Sequence, residues 1–316
     1  MSDAAGGSGR AFPVDEQIIE WPGFEEACAA ADIPALVPDE LPEEQPHYLV
    51  YLSGIGMSTP EQLPVVEIPM VEHLTKRLGG TKVVWQVCPY AVHTPSLIRR
   101  RRSSRFWAAA TRWKFEKNRL RYLAALINVR NGFQLFVSAD RRVTRYNRTI
   151  ARRVAEALIR AGYVPENRRP ITLLGWSGGA QVAAGVARHL GGAGTQVRIM
   201  SMAGIISADP GLGRAEHIWH LRGDHDAVEA IGATLAVRRW PLFRHSPWNR
   251  ALGDGRLEII SMGSLTHIGD RGYYSATTIL PDGRTPRQYT ADAIVATLCD
   301  AGLATDNGEV GWEPVR

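Results

Sequence analysis

The stretch that most constrains this chain is residues 170–180, Pro-Ile-Thr-Leu-Leu-Gly-Trp-Ser-Gly-Gly-Ala. A short apolar run enters Gly175-Trp176-Ser177-Gly178-Gly179, and an alanine- and valine-rich helical pattern over residues 181–190 leaves it. Strand, serine and helix in that order describe a sharp turn with the serine at its tip. A residue there sits in strained backbone geometry, and strand and helix approach so closely that only small residues fit between them. Gly175 and Gly179 meet that demand, and Gly178 adds room. The N–H groups at the start of the following helix favour negative charge beside the serine. The pattern singles out Ser177 as a candidate nucleophile.

Around this turn, short apolar segments alternate with helical patterns. Strands are predicted at 47–52, 82–87, 171–174, 197–202, 218–221 and 257–262, and helices near 69–78, 146–161, 181–190 and 291–301. That alternation argues for an α/β fold, a mostly parallel central sheet with helices on both faces. Residues 1–12 read as a disordered lead. Residues 13–46, acidic and punctuated by proline, read as an extension packed on the core, with a short helix at 24–31. A single domain from 47 to 316, carrying a helical insertion at about 91–142, explains the pattern better than two domains.

Composition excludes several classes. A chain of 316 residues with 45% hydrophobic content can bury a sizeable core. Its longest apolar runs, such as 122–129, fall far short of the roughly 18 residues that span a bilayer. The first ten residues are small and polar and lack the apolar centre of a secretory signal. Cys28, Cys88 and Cys299 are too widely spaced for a disulfide framework or a metal site, and are expected to be buried thiols. The expectation is a cytoplasmic protein without metal or organic cofactor.

A serine hydroxyl is a weak nucleophile until a base takes its proton, and the base needs a third group to orient it. The turn architecture requires serine, acid and histidine in that chain order, the last two at carboxyl ends of later strands. The strand at 218–221 runs through Arg222 to Gly223 and is followed by Asp224-His225-Asp226-Ala227-Val228. The strand at 257–262 is followed by Gly263-Ser264-Leu265-Thr266-His267. His189 closes a helix and His220 lies inside a strand, so neither meets the order.

On these residues the chain, from about His47 onward, resembles the α/β-hydrolase superfamily in its esterase- and lipase-like serine hydrolase branch. The resemblance implies Ser177 as nucleophile, His267 as general base and Asp226 as the orienting acid. Asp226 is chosen because the family's Gly-x-x-Asp-x-x-Val/Ile loop aligns best with Gly223 and Asp226. Val228 stands two residues after the aspartate rather than three, so Asp224 and Asp209 remain alternative acids. The bland role for Asp226 is to cap the helix that starts near Val228. The resemblance also implies an oxyanion hole from the N–H of Gly178 and a donor in the loop Ser53-Gly54-Ile55-Gly56-Met57, either Ile55 or Gly56. Ser53 stands where the family commonly carries a histidine.

The insertion is the part that this resemblance does not predict. Between residues 99 and 160 there are 18 Lys and Arg against Glu116, Asp140 and Glu156, so this stretch carries +15 while the whole chain carries +5. Phe106, Ala109, Ala110 and Trp113 share one helical face, as do Leu120, Leu123, Ala124 and Ile127. Such helices either face water as a solvated flap, with their aromatics packed on the domain, or cover the active site as a lid that faces an anionic membrane surface. No zinc spacing or helix-turn-helix cue accompanies them, so nucleic acid is not an expected partner. Residues 238–249, with Trp240, Phe243 and Trp248, are expected to line the pocket mouth.

Two functions come forward. One is a serine hydrolase of carboxylic esters, lipid esters and acyl thioesters included, with a small-molecule substrate and a peripheral membrane contact as partners. The other is a catalytically silent protein of this fold that binds an anionic membrane or a partner through its basic aromatic helices.

Overall fold

The structure is a computed structural model that describes residues 42–54, 63–87, 144–191, 195–308 and 310–312. In chain order the elements are β1 (His47–Leu52), α1 (Ile68–Arg77), β2 (Leu78–Gly79), β3 (Thr81–Val84) and α2 (Thr144–Arg160). They continue with β4 (Ile171–Trp176), α3 (Gly178–Leu190), β5 (Val197–Met202), β6 (Ile218–Arg222) and α4 (Ala227–Leu235). The last described elements are α5 (Pro247–Gly253), β7 (Leu257–Ser261), α6 (Pro286–Asp300) and β8 (Thr305–Asp306). The lead, the helix expected at 24–31, Ile55, Gly56, the insertion at 91–142, Cys28 and Cys88 lie outside the described residues.

Among the described residues six strands form one parallel sheet in the order β3-β1-β4-β5-β6-β7. Strands that are buried on both faces read as continuous apolar runs, and β1 and β4 do so, with every residue buried. Alternate side chains enter different clusters. Tyr48, Val50, Leu52, Ile171, Leu173 and Ile199 pack against α2, α3 and α5. Leu49, Tyr51, Leu174, Met200 and Met202 pack against α1 and α6. The result is the expected mostly parallel sheet with helices on both faces, an arrangement consistent with the α/β-hydrolase fold.

The elements differ from their sequence bounds for local reasons. Helix α6 begins at Pro286, before the predicted 291, because Thr285 and Gln288 form a reciprocal capping box. Helix α5, not predicted, is started by Ser246, whose hydroxyl accepts from Asn249 N. The two-residue strands β2 and β8 pair antiparallel beside the main sheet. Cys299 is a free thiol and is half-buried rather than buried. Among the described residues no helix is long and apolar enough to cross a membrane.

Candidate active site

Each candidate side chain is positioned by a strand end. β4 delivers Ser177 at φ 50°, ψ −118°, one of the positive-φ non-glycine residues of the chain. Strain of this kind persists only where the surroundings hold it. Ser177 N donates to Met202 O at 2.9 Å, and Ile205 N donates to Ser177 O at 3.1 Å. Glycine is required on both sides. A Cβ on Gly175 would lie 2.5 Å from the Ala180 backbone, and one on Gly179 would lie 2.2 Å from Leu52 O. Ser177 occupies the N-cap of α3, where a serine normally caps with its hydroxyl, yet here it makes no side-chain cap bond.

The hydroxyl instead faces His267, with Oγ 2.9 Å from Nε2. On the other edge of the ring, Nδ1 lies 2.9 Å from Asp226 Oδ2 and 3.1 Å from Oδ1. A carboxylate only accepts, so Nδ1 carries the hydrogen and Nε2 presents a lone pair to the Ser177 O–H. Asp226 follows β6, is buried, and also accepts from Glu229 N at 2.9 Å as the N-cap of α4. One carboxylate thus makes both the contact to His267 and the cap bond of α4. Asp224 is exposed and accepts from Ser261 Oγ at 3.2 Å. Asp209 is buried, accepts from Gln181 Nε2 and Gly211 N, each at 2.8 Å, and is pushed up to about 6 by burial. Neither of these two faces His267 as Asp226 does.

Gly178 is the first residue of α3, directly after Ser177. The start of the other implied oxyanion loop is close by: a Cβ on Gly54 would come within 3.3 Å of Ser177 Cβ and 2.7 Å of Trp176. Ile55 and Gly56 lie outside the described residues.

Several residues around the site were not singled out from the sequence. Trp176 stacks under the His267 ring at 4.8 Å and 22°, and Tyr273 and Tyr274 meet its indole edge-on. Tyr273 Oη accepts from Gly223 N at 2.6 Å, which pins the turn leading to Asp226. Its position inside the Gly-x-Ser-x-Gly turn was the one available signal for Trp176. Trp248 was expected at the mouth but is buried under the Arg239 guanidinium at 3.7 Å, while Trp240 and Phe243 are exposed.

Beneath the site lies a second serine–histidine–carboxylate row. Ser201 Oγ is 2.9 Å from His220 Nδ1, and His220 Nε2 is 3.1 Å from Glu229 Oε1. All three residues are fully buried, so no substrate reaches them. Burial holds the His220 imidazole below its ordinary range against the opposing bond to Glu229. Burial alone would raise Glu229, but His220, Arg239 and Arg222 bring it below the ordinary carboxylate range. This row braces the first turn of α4, and with it Asp226.

Among the described residues no group of three or more His, Cys, Asp or Glu could hold a metal ion. A polar depression lined by Arg198, Glu216, His217 and Glu258 lies at the amino ends of β5 to β7, away from Ser177.

No family model and no curated protein matches the chain. A search of solved structures finds matching chains. Among them is the crystal structure of the dienelactone hydrolase-like promiscuous phosphotriesterase P91 from metagenomic libraries. The two chains are 13% identical, with 84% of this chain and 89% of that one covered at a TM-score of 0.39. The fold class of this chain rests on its own sheet order and register.

Proposed function

We propose that the chain is a serine hydrolase that cleaves carboxylic esters through an acyl-enzyme intermediate. The observation that supports this most directly is the unbroken row Ser177 Oγ, His267 and Asp226, with contacts of 2.9 Å on both sides of the imidazole. It starts from a serine in strained backbone geometry whose hydroxyl caps nothing.

In the proposed reaction His267 Nε2 takes the Ser177 proton as Oγ bonds to the ester carbonyl carbon. The carbonyl oxygen becomes an oxyanion, which the N–H of Gly178 and one from the Ile55–Gly56 loop stabilise. The carbon–oxygen bond to the leaving alcohol then breaks, and Nε2 returns the proton to that oxygen. Asp226 keeps Nδ1 protonated and stabilises the transient imidazolium. In the second half water replaces the alcohol, giving its proton to Nε2 as it attacks the acyl carbon, and the proton ends on Ser177 Oγ. Lipid esters and acyl thioesters fall within the same chemistry.

The test pairs a fluorophosphonate probe with a chain-length series of p-nitrophenyl esters. Wild type should be labelled and should release p-nitrophenol, and Ser177→Ala should do neither. Labelling of both proteins, or of neither, overturns the reading.

A further inference from the structure

A globular helix turns its apolar face inward; α4 does the reverse. Its sequence is Ala-Val-Glu-Ala-Ile-Gly-Ala-Thr-Leu, yet the residues it buries are Glu229 and Gly232. Val228, Ile231 and Leu235 recur at i, i+3 and i+7 on one stripe, and Ile231 and Leu235 are 60% and 58% exposed. The apolar exposure continues through Val237, Trp240, Leu242 and Phe243, with Leu242 83% exposed.

These side chains stand on a braced platform. Arg239 donates to Glu229 Oε1 at 3.2 Å and to Ile206 O at 3.3 Å while its guanidinium covers Trp248. Trp240 Nε1 donates to Thr234 O at 3.1 Å, and Asn249 Nδ2 donates to the carbonyls of Trp240 and Phe243, each at 2.9 Å. Apolar side chains held outward on a braced turn mark an interaction surface.

Charge narrows the partner. Residues 230–253 contain Arg238, Arg239, Arg244 and Arg250 and no acid. Arg239 points inward to Glu229, whereas Arg238, Arg244 and Arg250 are exposed. Protruding Leu, Ile, Phe and Trp side chains interleaved with Arg match an anionic lipid interface, where apolar tips enter the acyl region and guanidinium groups meet headgroups. The surface also begins at the candidate site. Asp226 caps α4, Val228 follows two residues later, and Ile268, one residue past His267, is 76% exposed.

We propose that α4 and the turn at 237–244 dock on an anionic lipid surface, which sets the mouth of the Ser177 site against the bilayer. Docking itself is independent of the chemistry at Ser177. Only its consequence, access to esters held in the membrane, rests on the hydrolase reading.

The experiment is flotation of the full chain with phosphatidylcholine vesicles, with and without phosphatidylglycerol at about a third of the lipid, at low and high salt. Wild type should float with the anionic vesicles and much less with the neutral ones, and salt should weaken the binding. The triple variant Ile231→Ser, Leu235→Ser, Leu242→Ser should bind at least about tenfold more weakly. Arg238→Glu with Arg244→Glu should lose the preference for anionic lipid. Ser177→Ala should float as wild type does, so loss of hydrolysis and loss of docking are separable. Circular dichroism confirms that each variant is folded, and a soluble short-chain ester, where wild type hydrolyses it, gives a second check for the triple variant. Absence of wild-type flotation overturns the proposal, as does binding that the triple variant leaves unchanged. A wild-type dimer in sedimentation velocity that the triple variant converts to monomer also overturns it, because a second copy then covers the face.

Discussion

Glu67 offers a quantitative test of how the ground beneath the site is built. The residue is 4% exposed and precedes α1 without capping it, and its carboxyl accepts from Tyr51 Oη at 2.7 Å. Tyr51 Oη lies 2.5 Å from Tyr274 Oη, and Tyr274 packs edge-on against Trp176 under His267. Burial pushes the Glu67 carboxyl from 4.5 up to about 7, and the groups that pull it back are the hydroxyls of Ser53 and Tyr51 rather than cations. The folded chain thus keeps a proton at pH values where the unfolded chain has released it. Stability falls as pH rises from about 4.5 to about 7, and above that window about 3 kcal/mol has been lost. Glu67→Gln keeps an acceptor for Tyr51 and never ionises. Urea unfolding of both proteins from about pH 5 to about pH 8.5 should show the variant gaining on wild type by about 2.5 kcal/mol across the range, whatever the offset at low pH. A stability difference that stays constant with pH refutes the reasoning, because the carboxyl then titrates alike in both states.

Two substitutions separate roles that share a residue or a turn. Asp226→Asn keeps an oxygen for Glu229 N but allows the wrong imidazole tautomer, so ester turnover should drop about 10⁴-fold with little loss of stability. Asp226→Ala should lose the same activity and about 1 kcal/mol more in urea unfolding, because the cap goes too. Gly179→Ala sets a methyl against Leu52 O at 2.2 Å and should destabilise the chain by roughly 3 kcal/mol or more, read as a lowered urea midpoint.

What was legible in the sequence follows from where the information lies. The order of strands and helices is written in local periodicity, and Ser177, Asp226 and His267 stand at strand ends in the order that the sharp turn at the serine demands. The dual use of Asp226 was not legible: two nearby aspartates invited two jobs, and only the helix start shows that one carboxylate reaches both Glu229 N and His267. Glu67 was invisible for a different reason. A glutamate between Val66 and Ile68 reads as solvated, and its burial depends on Tyr51 and on Tyr274, which lies 223 positions from Tyr51 in the chain. The outward face of α4 ran against the usual rule, since an apolar stripe at helical spacing normally predicts the core.

The three side chains of the row are held by separate backbone contacts. Ser177 is fixed by Met202 O and Ile205 N, the Asp226 turn by Gly223, Tyr273 and Glu229 N, and the His267 loop by the bond from Thr266 N to Arg271 O at 3.0 Å. Removing one side chain therefore leaves the other two where they were, but in the proposed reaction the remaining pair has no chemistry to serve. Without the hydroxyl the imidazole has no proton to take, and without the imidazole the hydroxyl stays a weak nucleophile. Ser177→Ala and His267→Ala should each lower kcat by a factor on the order of 10⁶, and the double variant should be no slower than either. Near-native urea midpoints for all three would show that the loss is chemical. A double variant whose defect is the product of the two single defects would mean that Ser177 and His267 act independently, and the row would not be a catalytic unit.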